Sequence, residues 1–276
     1  MRHPPLTAAG TPTWSGPNGV PNGGSAGGPA GPALVAVAHG SRDPRAAATV
    51  EDLLVAVRAR RPRLRVVTSY LDHAPPTPVQ ALGALAAADE GAVVLPLLLT
   101  AAYHTKTDIP RALAEVHRRH PRLALRYGDP LGPHPLLVAA LERRLAEAGT
   151  PAGDPDTAVV LAAAGSSDPA AAATIARLAR RWRRRGWHDV VPAYASAARP
   201  TPAEAVRALR AAGAPRVAVA SYFLAPGYFA DKVWTETLRA GADVVSPVLG
   251  AAPELAGLVL RRYDETVDDL RAAAVG

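Results

Sequence analysis

The chain contains no cysteine, which excludes disulfide staples, thiolate metal sites and cysteine nucleophiles. His, Asp and Glu remain as its strong metal ligands. The absence agrees with a reducing compartment, and a cytoplasmic location is expected. Aromatic residues make up only 5% of the 276 residues, so the core must rest on aliphatic side chains and alanine. Alanine enters helices at little entropic cost but buries little area, so the helices must pack closely. No window offers the ~20 mostly apolar, uncharged residues that a membrane span needs, so a soluble protein without a membrane partner is expected. Lysine is nearly absent, with only Lys106 and Lys232, and the net charge of +7 is therefore carried by arginine. Such an excess favours anionic partners, and arginine grips carboxylates bidentately, so a polycarboxylate small molecule suits it.

What is present divides the chain. Residues 1–32 are dominated by Gly, Pro, Ala, Ser and Thr and lack the apolar run of a secretory signal, which reads as a disordered tail. The remainder is 33–150 and 156–270, joined by a linker around Gly149–Asp156, and these two parts repeat one another. The stretch Leu34-Val-Ala-Val-Ala-His39-Gly-Ser-Arg-Asp43-Pro44 returns as Val159-Val-Leu-Ala-Ala-Ala164-Gly-Ser-Ser-Asp168-Pro169, 125 residues later. Pro76-Thr77-Pro78 returns as Pro200-Thr201-Pro202, with Thr as N-cap and Pro at the first helical position in each. Tyr103-His104 aligns with Tyr228-Phe229 at the same spacing. Three matches in order specify a domain-sized duplication.

Within each part, short apolar runs alternate with longer Ala, Leu and Arg segments of helical period, the pattern of βαβ units and a parallel sheet. The fold class is α/β, with two tandem similar domains, each a parallel sheet flanked by helices, and a cleft between them. Strands are expected near 34–38, 65–71, 93–99 and 123–127. Helices are expected to start at Asp43-Pro44, at Thr77-Pro78, at Asp108-Ile109-Pro110 with Asp as cap, and after Pro135.

Ligands of an open parallel sheet bind beyond the carboxyl ends of its strands. His39, Asp72 with His73, and His104 follow the first, second and third strands, so they gather at one sheet edge. Their counterparts in the second copy are Ala164, Ser196, Ala197 and Phe229: every candidate ligand is lost while the small residues around them survive. Two imidazoles and a carboxylate suit a first-row divalent metal and leave coordination positions open, as a transfer site requires. Asp72 is preferred to His73 because alternation along Tyr70-Leu71-Asp72 sends the two side chains opposite ways. His117, His120, His134 and His188 read as solvated. The run Arg180, Arg181, Arg183, Arg184, Arg185 beside Trp182 and Trp187 reads as a solvated helix face in preference to a nucleic-acid surface, and no nucleic-acid partner is expected.

The segments Ala38-His39-Gly40-Ser41-Arg42-Asp43-Pro44, Tyr70-Leu71-Asp72 and Pro96–Pro110, with Tyr103-His104-Thr105-Lys106 at its centre, resemble the sirohydrochlorin chelatases of the CbiX and SirB type, the class II tetrapyrrole chelatases. The resemblance spans roughly 33–270 and is to the long, two-domain form. It implies a lyase that inserts a divalent metal, iron for sirohaem or cobalt for cobalamin, into a tetrapyrrole. The metal is then a substrate, and no organic cofactor is implied. His39 and His104 are implied as metal ligands and proton acceptors. Asp72 stands where the family commonly has glutamate, one methylene shorter in reach, and two alanines replace the glycines usual before the second histidine. An imidazole with an intrinsic pKa near ~6.5 serves as ligand and base alike. Ser41, Arg42, Arg45, Tyr103 and Lys106 are the substrate-binding candidates, in a monomer whose halves are related by a pseudo-twofold. The alternatives are a non-catalytic metal or tetrapyrrole carrier, a phosphate-binding α/β domain built on Gly40-Ser41, and nucleic-acid binding through the arginine run.

Overall fold

The computed structural model describes residues 31–100 and 107–275, with side chains through Asp269. The first half runs β1 (Ala33–Ala38), α1 (Pro44–Arg60), β2 (Val66–Tyr70), α2 (Pro78–Ala87), β3 (Ala92–Pro96), α3 (Asp108–Arg119), β4 (Leu125–Tyr127) and α4 (Pro135–Glu147). The second half repeats it as β5 (Thr157–Ala163), α5 (Pro169–Arg183), β6 (Asp189–Tyr194), α6 (Pro202–Ala211), β7 (Arg216–Tyr222), α7 (Tyr228–Arg239), β8 (Val244–Val245) and α8 (Pro253–Val275). Both sheets are wholly parallel, ordered β2-β1-β3-β4 and β6-β5-β7-β8. Every residue of β1, β3 and β5 is buried, because helices cover both faces of a parallel sheet and its strands have no solvent side.

The helix starts fall where capping chemistry puts them. Asp43 and Asp168 accept from the backbone N–H two residues on, and Pro44 and Pro169 fill the first turn, where a missing N–H costs nothing. Thr77 with Gln80 and Thr201 with Glu204 each close a reciprocal capping box. Two expectations are corrected. Asp108 is the first helical residue of α3 and not its cap, a position held by Thr107, whose side chain makes no capping bond. Strand β3 ends at Pro96 and not near 99. The apolar residues beyond it are apolar because they are covered: Leu97 is fully buried and its N–H still reaches the Val37 carbonyl at 2.8 Å.

The last helix of each half leaves its own sheet. Helix α4 packs against β7 and α8, while α8 packs on α1 and β3. One buried cluster therefore runs through both halves, including Leu34, Leu53 and Leu141 of the first and Leu161, Trp182 and Leu258 of the second. At ~1.5–3 kcal/mol for each large apolar side chain fully buried, this shared core holds the repeats as one body. Polar ties cross the same boundary. The Tyr222 hydroxyl donates to the Leu99 carbonyl at 2.9 Å, Arg61 pairs with Asp264 at 2.5 Å and Arg143 with Glu254 at 2.7 Å.

The arginine run ends α5 as a solvated face, with Arg183 paired to Asp189 and Arg185 to Glu142. Its tryptophans point inward. Trp182 is buried and donates its indole N–H to Glu142 at 2.9 Å, and Trp187 packs edge-on against it, so neither offers a face for a base to stack on. His134 is not a plain solvated residue. Its Nδ1 caps α4 by accepting from the Leu136 N–H at 3.1 Å, and partial burial with Arg262 nearby lowers its pKa. No helix among the described residues is long and apolar enough to cross a membrane.

Candidate functional site

In each sheet the chain moves from the central strand to one side and then returns to the other, so a crevice opens at the carboxyl ends of β1 and β3, and again of β5 and β7. The two crevices face one another and form a single cavity of about 590 Å³, within the range of small-molecule sites. Its walls come from the ends of β1, β2, β3, β5, β6 and β7 with the loops that follow them, and from the first turns of α1, α5 and α7.

The loop after β1 is built by a glycine. Gly40 has φ +90°, and a Cβ there would sit 1.8 Å from the Asp72 carbonyl oxygen, so only glycine lets the two loops close on each other. The backbone N–H of Asp72 donates to the His39 carbonyl at 3.0 Å, which locks the loop after β2 beside the loop that bears His39. The Ser41 hydroxyl accepts from the Asp43 N–H at 3.0 Å and steers the chain into α1. His39 is left exposed at the cavity edge, with Nδ1 3.1 Å from the Gly40 carbonyl. Ser41 and Arg42 also line the cavity.

The carboxylate at the second strand is arranged differently from expectation. Strand β2 ends at Tyr70, and His73 takes φ +65°, so strand alternation does not govern residues 71–73. Asp72 and His73 consequently meet instead of diverging: one carboxylate oxygen accepts from the His73 N–H at 2.8 Å and the other lies 3.3 Å from His73 Nε2. His73 lines the cavity, whereas Asp72 does not line it and is largely exposed. The argument that preferred Asp72 to His73 thus does not hold at this turn. Tyr103, His104 and Lys106 lie outside the described residues. Among the described residues no three His, Asp or Glu side chains are grouped as for a metal ion.

Arg45 does not line the cavity. It bridges Asp43 on its own helix and Asp231 on α7, each at 2.5 Å, across the boundary between the halves. The bond from Arg45 in turn holds the Asp43 carboxyl below the ordinary carboxylate range. Near this bridge a Cβ on Gly227 would lie 3.9 Å from Ser41 Oγ, so the loops after β1 and β7 come close. The second half supplies aromatic and apolar wall: Tyr194, Tyr222, Phe223, Tyr228 and Phe229. Tyr222 is wholly buried, and burial pushes its phenol pKa up, keeping it a neutral donor to Leu99. Sequence reasoning missed these wall residues, although the alignment of Tyr228-Phe229 with Tyr103-His104 carried the signal.

The comparisons with known proteins agree with this geometry. The CbiX family model matches twice, over residues 33–148 and 158–266. A sirohydrochlorin cobaltochelatase of Priestia megaterium is 31% identical over 197 residues, 69% of this chain and 63% of the relative, so the match spans under two thirds of that protein. A sirohydrochlorin ferrochelatase of Bacillus subtilis (strain 168) is 28% identical over 242 residues, 85% of this chain and 91% of the relative. The structure of SirB from Bacillus subtilis with Fe3+ superposes with a TM-score of 0.77 at 25% identity, covering 87% of this chain and 97% of that one. With both halves matched by one model and the overall fold superposing on that of SirB, the chain belongs to the CbiX family of sirohydrochlorin chelatases, as a member with two tandem domains.

Proposed function

We propose that this chain inserts a divalent metal ion, iron(II) or cobalt(II), into sirohydrochlorin in the cleft between its halves, with His39 and His104 as ligands and proton acceptors. The observation that carries the reading is the position of His39 at the mouth of a cavity formed where both sheets reverse strand order, beside a carboxylate–imidazole pair that its own loop clasps.

The reaction replaces two pyrrolic protons by one metal ion, so the site must hold the ion loosely and take up protons as it leaves. An imidazole does both. While it ligates, its lone pair is on the metal, and once the ring nitrogens take the metal, that lone pair is free for a proton. His73 places a second imidazole on the same cavity wall, and the Asp72 carboxylate, 3.3 Å from its Nε2, offsets positive charge that gathers there. Arg42, exposed at the cavity edge, suits a peripheral carboxylate of the macrocycle. Walls such as Val50, Ile175 and Phe223 keep water from the reacting ring, which strengthens the electrostatic contacts within. Because one chain supplies both walls, a monomer suffices, and the absence of cysteine fits a cytoplasmic site of action.

An anaerobic spectrophotometric insertion assay with sirohydrochlorin and iron(II) or cobalt(II) tests this. His39→Ala and His104→Ala are each expected to slow insertion by about 100-fold or more. Unchanged rates in both variants contradict the assignment. A wild-type chain that binds metal and macrocycle without turnover is instead a carrier.

A further inference from the structure

The chelatase reading leaves a pair of exposed aromatic residues unused. Tyr228 and Phe229 are the first two residues of α7, and they stand 125 positions after Tyr103 and His104. Where the first half carries its second candidate ligand, the second half carries a phenyl ring. Tyr228 is 74% exposed and Phe229 39% exposed, in a chain with only 5% aromatics, and most of the other aromatic residues among the described residues are buried. Isolated exposed apolar residues are ordinary, but two adjacent aromatic rings at the mouth of an apolar cleft call for an occupant.

Their placement is fixed from both ends. Gly227 has φ +155° and ψ −178°, an extended conformation, and α7 begins at the next residue, so its first residues, Tyr228 and Phe229, stand at the cavity wall beside Gly227. Three residues into the helix, Asp231 is held at 2.5 Å by Arg45 from the first turn of α1. The ion pair is exposed and adds little stability by itself. It does join the turn that bears the aromatic rings to the turn that follows the His39 loop. The two rings lie 5.3 Å apart at 68°, edge to face, and both keep exposed ring surface beside the cavity they line. Aromatic faces prefer another π-system at offset-stacked or edge-on geometry. The occupant that fits is a flat, conjugated macrocycle whose edge carries charge and whose faces are apolar.

Resting on the chelatase reading, we propose that Tyr228 and Phe229 form an aromatic platform that recognises the ring face of the tetrapyrrole and holds it over His39, so that the duplicated half has exchanged metal ligation for substrate binding. The two residues are specificity-determining and not catalytic. They contribute to macrocycle affinity and not to metal affinity.

The test is an equilibrium titration with metal-free sirohydrochlorin, followed by the absorbance of the macrocycle, beside a titration with cobalt(II) alone. The double variant Tyr228→Leu/Phe229→Leu is expected to raise the macrocycle Kd about tenfold, the equivalent of about 1.4 kcal/mol, with the cobalt(II) Kd and the unfolding midpoint unchanged. The ring-preserving double variant Tyr228→Phe/Phe229→Tyr should restore affinity to within about twofold of wild type. An unchanged macrocycle Kd in the leucine variant overturns the proposal, as does an equal loss in both variants or a wild type that does not bind the macrocycle. If the wild type binds the macrocycle but inserts no metal, the chelatase reading fails alone, and the affinity comparison still decides the platform.

Discussion

Around Gly40 and Gly165 the two halves are built by the same bonds. Asp43 N–H donates to Ser41 Oγ at 3.0 Å, and Asp168 N–H to Ser166 Oγ at 3.1 Å. Asp72 N–H reaches the His39 carbonyl at 3.0 Å, and Ser196 N–H the Ala164 carbonyl at 2.9 Å. His73 and Ala197 both take positive φ, at 65° and 57°. Yet the side chains these loops present are imidazole and carboxylate in one half and methyl and hydroxyl in the other. The left-handed turn is therefore a property of the backbone frame and not a strain reserved for a histidine. Residues that shape the loops and side chains that the loops carry have followed separate courses, and a duplicated scaffold separates the two.

Three perturbations break or sharpen that comparison. The largest effect is expected from Gly40→Ala and Gly165→Ala. Each added Cβ meets a carbonyl oxygen, at 1.8 and 1.9 Å, from a φ near +90°. Each should cost more than about 2 kcal/mol in a denaturant titration. Below the unfolding transition, only Gly40→Ala should also slow insertion strongly, because it displaces His39 from Asp72. Equal losses of activity would mean that both loops act on the metal.

The cap variants Thr77→Ala and Thr201→Ala should be matched more closely, each losing about 1 kcal/mol with a similar fall in thermal midpoint. A cost confined to one half would show that the shared core shields the other helix from fraying.

The smallest effect concerns the exchanged helices. Glu254 of α8 is held below its ordinary pKa chiefly by its bond to Arg143 of α4. A depressed folded pKa stabilises above the unfolded value of 4.5 and loses that contribution as pH falls through the folded one. Stability should therefore decline modestly below about pH 4.5, and Glu254→Gln should flatten the decline by an amount of order 0.5 kcal/mol. A Gln variant with the wild-type acid profile would remove this pair from the account.

Much of this was legible in the sequence where backbone geometry dictates residue type. Glycines at φ near +90°, prolines at first helical positions and threonine caps mark the loops and helix starts of both copies, which is why the repeat could be aligned and the sheet edge located. Apolar periodicity did not reveal that α4 and α8 change sheets, since an Ala- and Leu-rich face packs equally well on either one. The run after Pro96 read as strand because burial, and not pairing, keeps Leu97 apolar. The alternation argument for choosing Asp72 over His73 fails because β2 ends at Tyr70 and His73 takes a left-handed φ, so the two side chains meet. Trp182 and Trp187 gave no sign that they are core residues amid five arginines.

The central claim is that a single metal site per chain is served by the first half. Titration of the wild-type chain with cobalt(II), followed calorimetrically under anaerobic conditions, should give one equivalent bound, and His39→Ala should abolish or greatly weaken it. Two equivalents in the wild type, or an undiminished equivalent in His39→Ala, would contradict it.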